Sequence, residues 1–150
     1  MRFEKKIAVA RSPDAVWQFL WDVERVARCL PGCREARTVV PHERYAAVVG
    51  ERIGPFSVTF PLEIQILEVD EGRRLRAQAA GRDSAMGSSL RVTLDLAVEP
   101  RGDGSVLHIV SDAAVLGRLG TLGQGMIQRK ADQIMEQFAA AIREALEVSA

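Results

Sequence analysis

Two histidines, two cysteines and one inward carboxylate are the residues of this 150-residue chain most able to do chemistry. His42 follows Pro41 in an expected hairpin turn. His108 shares the parity of Val106 and Val110, opposite to Leu107 and Ile109, so its ring is expected to point away from the apolar strand face. Without an inward imidazole, nucleophile-plus-base catalysis lacks its most common base. The chain has no Gly-x-Ser-x-Gly, no phosphate loop, no His-Glu-x-x-His and no pair of carboxylates at helical spacing. No catalytic residue is therefore assigned.

Cys29 and Cys33 flank Leu30-Pro31-Gly32 with no His or Cys cluster nearby. Structural zinc usually takes four ligands, so a metal site is not expected, and the pair reads as reduced, half-buried thiols. Glu51 falls on the inward face of its strand, between Val49 and Ile53. A buried carboxylate is costly unless paired. A salt bridge or a place at the wet rim is the commoner outcome, and contact with the polar end of a ligand is the other. Ser88, Ser111 and Tyr45 share the inward parity. Their hydroxyls could meet a ligand or bond to neighbouring backbone.

The elements that position these residues follow from periodicity. Arg2 to Arg11 alternates, with Phe3, Ile7 and Val9 on one face, and reads as a strand. Ser12 is a good N-cap and Pro13 fits the first helical position. The helix they open carries Val16, Trp17, Phe19, Leu20 and Val23, and a second short helix spans about Glu24 to Leu30. From Glu35 to Val115 the pattern is nearly pure strand, broken at Gly54-Pro55, Asp70-Glu71-Gly72 and Arg101 to Gly104. Such short turns imply an antiparallel meander. The last segment, Leu122 to Leu146, changes to three- and four-residue spacing and reads as a long amphipathic helix. Between strand and helix lies the glycine-rich stretch Gly117 to Gly125, either a hinge or flap or a tight connection.

The fold class is therefore α+β: a curved antiparallel sheet of about seven strands around one long helix. A helix is ~10 Å across, while that many strands at ~4.8 Å spacing span about three times as much. The sheet must curl, and one helix cannot fill it. The remaining space is a candidate apolar cavity. From the sheet and the end of the second short helix, its expected lining is Leu30, Glu51, Phe60, Leu62, Ile64, Leu75, Met86, Ser88, Leu90, Leu107 and Ile109. From the helix side come Leu122, Met126, Ile127, Ile134 and Phe138. The mouth is expected at Leu30-Pro31-Gly32 and around Gly120.

Composition agrees with one globular domain over residues 1–150: 47% hydrophobic, with 20 Lys+Arg balancing 20 Asp+Glu. That balance argues against a nucleic-acid partner. The charged N-terminus does not resemble a secretory signal, and no apolar run approaches the ~20 residues of a membrane span, so a cytoplasmic protein is expected. Val106 and Val110, outward beside His108, hint at self-association as a homodimer.

Cys29-Leu30-Pro31-Gly32-Cys33 is similar to the Leu-Pro-Gly-Cys turn of the CoxG family of carbon monoxide dehydrogenase subunits. Ile53-Gly54-Pro55-Phe56, Gly81-Arg82-Asp83, and Gly117-Arg118-Leu119 through Leu122-Gly123-Gln124 also resemble its pattern, in order and over nearly the whole chain. That family sits among START-related helix-grip proteins, which include polyketide cyclases and lipid-transfer domains. The resemblance implies an accessory protein of a carbon monoxide dehydrogenase or related molybdenum hydroxylase, holding a hydrophobic ligand such as a quinone, with no resident cofactor. It also implies transient contact with the inner face of the membrane. Some members carry a C-terminal extension that anchors to the membrane, and anchoring of that kind is not expected here, because the long helix runs nearly to Ala150. The alternatives are a polyketide cyclase- or dehydrase-like enzyme that shapes a hydrophobic substrate in the same cavity, and an assembly factor with a filled interior.

Overall fold

The computed structural model describes residues 1–83, 85 and 87–148. The chain runs β1 (Arg2–Val9), α1 (Pro13–Trp21), α2 (Val23–Arg28), β2 (Cys33–Val40), β3 (Arg44–Ile53), β4 (Phe56–Asp70), β5 (Arg74–Asp83), β6 (Ser88–Arg101), β7 (Gly104–Leu116), a 3-10 turn (Arg118–Leu122) and α3 (Gln124–Val148). Strands β2 to β7 follow one another through short turns, and every pairing is antiparallel. The seven-stranded order is β1-β7-β6-β5-β4-β3-β2. β1 and β2 thus occupy opposite edges, and α1 and α2 carry the chain from one to the other.

Local chemistry sets the element ends. The Ser12 side chain accepts a hydrogen bond from the Ala15 N–H, and Pro13 opens α1 as expected. The second helix stops at Arg28 rather than Leu30, where the Cys29 and Leu30 N–H groups turn to the carbonyls of Val26 and Ala27. β2 begins at Cys33, two residues before the expected start. The long helix begins at Gln124 rather than Leu122 because Gly123, with φ 87°, breaks the helical path. Gly117, with φ 89°, breaks it on the other side. Between them the glycine-rich stretch is an ordered turn: Leu119 is buried, and its N–H donates to Ser88 Oγ at 3.0 Å.

The curl of the sheet is visible in what α3 touches. It lies along β1 and reaches β3, while the central strands stay farther from it. The C-terminal half of α3 is fully packed. Phe138, Ile142 and Leu146 are buried among Ile7, Val9, Val16, Trp17, Leu20, Leu107 and Ile109. Arg25 and Arg11 donate to the carbonyls of Ala145 and Leu146 at 3.1 and 2.7 Å, and Arg143 donates to Ala8 O at 3.2 Å. The first two contacts satisfy carbonyls that a helix end otherwise leaves unpaired and place positive charge where the helix dipole is negative.

β4 and β5 stop pairing at Leu62 and Gly81. A Cβ on Gly81 would sit 2.2 Å from the Pro61 carbonyl oxygen, so only glycine allows that approach. Gly81→Ala is expected to destabilise the fold by about 1–3 kcal/mol, as overpacked sites do. Urea denaturation of the two proteins checks this, and equal midpoints would contradict the close approach.

Candidate ligand cavity

The N-terminal half of α3 is held differently from its C-terminal half. Only Ile127 is buried there; Met126, Ala131 and Ile134 are half-buried. The inward residues beneath it, Ile64 on β4 and Leu90, Val92 and Leu94 on β6, are half-buried too. Between those strands β5 presents Ala77, Ala79 and Gly81. Register places Ile64, Ala79 and Val92 in one cross-strand row and Ile66, Ala77 and Leu94 in the next. Small side chains thus occupy the middle of the sheet where the helix stands off. The interior divides accordingly into three apolar clusters. One lies around Phe138 and Ile142, one around Val58, Phe60, Leu62 and Leu119, and one around Ala27, Ala36 and Ala47. A domain usually has one contiguous core. Leu94, Leu90 and Ile64 each pack against one of these clusters yet stay half-buried, and with Val92 and Ile134 they mark the candidate cavity, called the gap below.

Charged contacts carry the helix over this gap. Glu51 on β3 pairs with Lys130 on α3, Oε2 to Nζ 3.1 Å, and Lys5 on β1 pairs with Glu136 on α3. The pairs join α3 to strands near opposite edges of the sheet. The Glu51 side chain keeps 16% of its exposure and that of Lys130 26%, so the first pair sits at the rim. Of the roles open to Glu51 from sequence, the structure shows the salt bridge.

Three other polar groups facing inward, Ser88, Tyr45 and Asp83, also have partners. Ser88, fully buried, accepts the Leu119 N–H, and Tyr45 Oη accepts the His42 N–H at 2.8 Å. Ser111 is buried in the row between Phe3 and Leu94. Asp83, 4% exposed, accepts the Thr59 N–H at 2.6 Å. This bond bridges the opening where β4 and β5 part after Leu62 and Gly81.

The expected lining residues separate into groups. Leu90, Leu122, Met126 and Ile134 are half-buried, toward the gap and its glycine-rich end. Leu30 is half-buried against the large cluster. Leu75, Leu107, Ile109 and Phe138 lie inside that cluster, while Phe60 and Leu62 belong to the second. Met86 lies outside the described residues. Sequence reasoning missed half-buried Val92 and Leu94 beside the small series on β5, that series itself, the hydrogen bond of Asp83 to Thr59, and Lys130 as the partner of Glu51. Ala77, Ala79 and Gly81 at period two, on a strand whose neighbours carry Ile and Leu, were the signal for the space.

The histidines lie elsewhere. His108 Nε2 is 2.6 Å from Glu4 Oε2 on the outer face, and this hydrogen bond holds the Glu4 carboxyl below its ordinary pKa. His42 stacks on Trp21 with ring centroids 4.1 Å apart. Both cysteines are free, and burial pushes the Cys29 thiol up, away from reactive thiolate. Among the described residues, no three His, Cys, Asp or Glu side chains are placed to hold a metal, and no helix is long and apolar enough to cross a membrane.

A curled seven-stranded sheet gripping one long helix, with two short helices after the first strand, is the helix-grip fold of START-like proteins. A conserved protein from Geobacillus kaustophilus superposes with a TM-score of 0.84 at 17% identity, covering 97% of this chain and 95% of that one. A START superfamily protein from Mycobacterium smegmatis gives 0.74 at 15% identity, over 99% of both chains. The Zhui aromatase/cyclase from Streptomyces sp. R1128 gives 0.67 at 13% identity, over 97% of this chain and 93% of that one. The family model for CoxG, a carbon monoxide dehydrogenase subunit, matches residues 6–147, and the chain belongs to that family. Among curated proteins, none matches.

Ser88 is the fastening between β6 and the turn at the end of the cavity. Ser88→Ala leaves the Leu119 N–H buried without its acceptor and is expected to cost about 1–3 kcal/mol. Hydrogen exchange should show the Leu119 amide losing protection; unchanged protection would mean the turn is held by packing alone.

Proposed function

We propose that this chain is a non-enzymatic carrier that holds a hydrophobic molecule under the N-terminal half of α3. The observation that carries this is the half-buried ring of Ile64, Leu90, Val92, Leu94 and Ile134 around the small side chains of β5. Exposing apolar surface to water costs about 25 cal/mol per Å², which an apolar guest would recover. Family membership supports a narrower reading: the guest is a quinone, and the carrier serves a carbon monoxide dehydrogenase or related molybdenum hydroxylase. In that reading it works in the cytoplasm and visits the inner face of the membrane.

The polar groups support holding over reacting. Glu51 is answered by Lys130, Asp83 by the Thr59 N–H, and Ser88 by the Leu119 N–H, while both histidines lie away from the gap. A cyclase needs a few polar groups free to polarise a substrate carbonyl. The likeness to an aromatase/cyclase concerns the fold.

The test is purification without detergent, extraction with organic solvent and mass spectrometry. An isoprenoid quinone is expected, in an amount reduced at least tenfold by Ala79→Phe. That variant should keep its unfolding midpoint, because the ring enters empty space. A loss of stability of about 1–3 kcal/mol would instead mean that the space is filled. An empty extract together with no uptake of an added short-chain quinone would refute the carrier.

A further inference from the structure

At the edge of the sheet, beside the rim where Glu51 meets Lys130, a surface cleft of about 320 Å³ follows β3 beyond the end of its pairing with β2 and is lined also by Val58 and by Gln137 of α3. Pro31 and Gly32 form one wall, Gly32 being fixed by the Gly50 N–H donating to its carbonyl at 2.8 Å. Arg34, Arg52, Ser57 and Thr59 also line it. Register brings Arg52, Ser57 and Thr59 together, and the Arg34 side chain reaches them across Gly50. Gly50 and Arg52 are successive outward positions of β3, and they face Thr59 and Ser57 on β4. The Arg34 guanidinium lies directly over Gly50. A Cβ there would be 2.5 Å from Nη2 and 2.6 Å from Cζ, so glycine is what lets the side chain lie flat across the strand. Its Nη1 reaches Thr59 Oγ1 at 3.5 Å.

The electrostatics of this group are unbalanced. Neither guanidinium has an ion-pair partner among the described residues. Glu51, the one acid among the cleft's lining residues, is held by Lys130. Like charges at neighbouring sheet positions repel. Here the Arg34 guanidinium over Gly50 and Arg52 occupy successive outward positions, with two hydroxyls opposite, and the one acid in the lining is already paired. An anion entering the cleft would relieve that repulsion and meet two planar donor forks and two hydroxyl donors.

We propose that Arg34 and Arg52, with Ser57 and Thr59, form a phosphate-binding site. A phosphate monoester fits better than a carboxylate: its charge at neutral pH approaches two, and its three terminal oxygens suit converging donors. The site stands on its own residues and does not depend on what occupies the interior.

Phosphate titration followed by amide NMR tests this, with inorganic phosphate as the first probe at low ionic strength. The amides of Gly50, Arg52, Ser57 and Thr59 should shift saturably. Arg34→Gln and Arg52→Gln should each weaken binding at least tenfold, while Arg91→Gln, an outward arginine outside the cleft, should not. Gly50→Ala keeps both charges but displaces Arg34, and should weaken binding as well. A second arm uses phosphatidylcholine vesicles with and without phosphatidic acid. Binding only to the acidic vesicles, lost in the same variants, assigns the phosphate to a lipid headgroup; binding of inorganic phosphate assigns it to a free molecule. No saturable binding in either arm, or equal losses in Arg91→Gln, would overturn the site.

Discussion

One helix has to cover a seven-stranded sheet, and most of the structure follows from that mismatch of widths. The sheet answers by curling until strands near both edges approach α3. Curling moves the central strands away from the helix axis, so the apolar interior cannot be uniformly filled. The C-terminal half of α3 resolves this with large side chains, the short helices, and arginines on its last carbonyls. The N-terminal half does not. There the helix is tied to β3 and β1 by ion pairs.

That division explains why the two halves can serve different ends. A rigidly packed half anchors the fold, since removing large side chains from such a core typically costs ~3–5 kcal/mol. The other half rests on partly exposed ion pairs, whose individual worth is small. Stability is therefore concentrated in the C-terminal half, and a guest held under the N-terminal half, as proposed, would leave the main cluster undisturbed. The polar interior groups are spent on structure: Asp83 spans the split between β4 and β5, and Ser88 fastens the turn before α3.

The architecture was legible in the sequence because one period gives way to another. Alternation at two through Leu116 and spacing of three and four after Gly123 leave few topologies open. The details of the cavity were not, because they depend on the tilt and rotation of α3. Ile134 and Phe138 belong to the same apolar stripe, yet one borders the gap and the other is packed in the main cluster. Lys130 reads as an ordinary helix-surface lysine until the curl brings β3 beside it. Asp83 stands in the sequence only as the end of Gly81-Arg82-Asp83, and its bond to the Thr59 N–H depends on where β4 and β5 separate. The strand bearing Ala77, Ala79 and Gly81 reads as weakly apolar, and its lack of bulk between Ile64 and Val92 is what the proposed room rests on.

The most direct measurement of that room is an isotope-filtered nuclear Overhauser experiment on methyl-labelled protein with a bound short-chain benzoquinone. Contacts from the guest to the methyls of Ile64, Leu90, Leu94 and Ile134, and none to Val16, Leu107 or Ile142, are the expected result. Contacts to the second set, or to surface methyls alone, would contradict a cavity beneath the N-terminal half of α3.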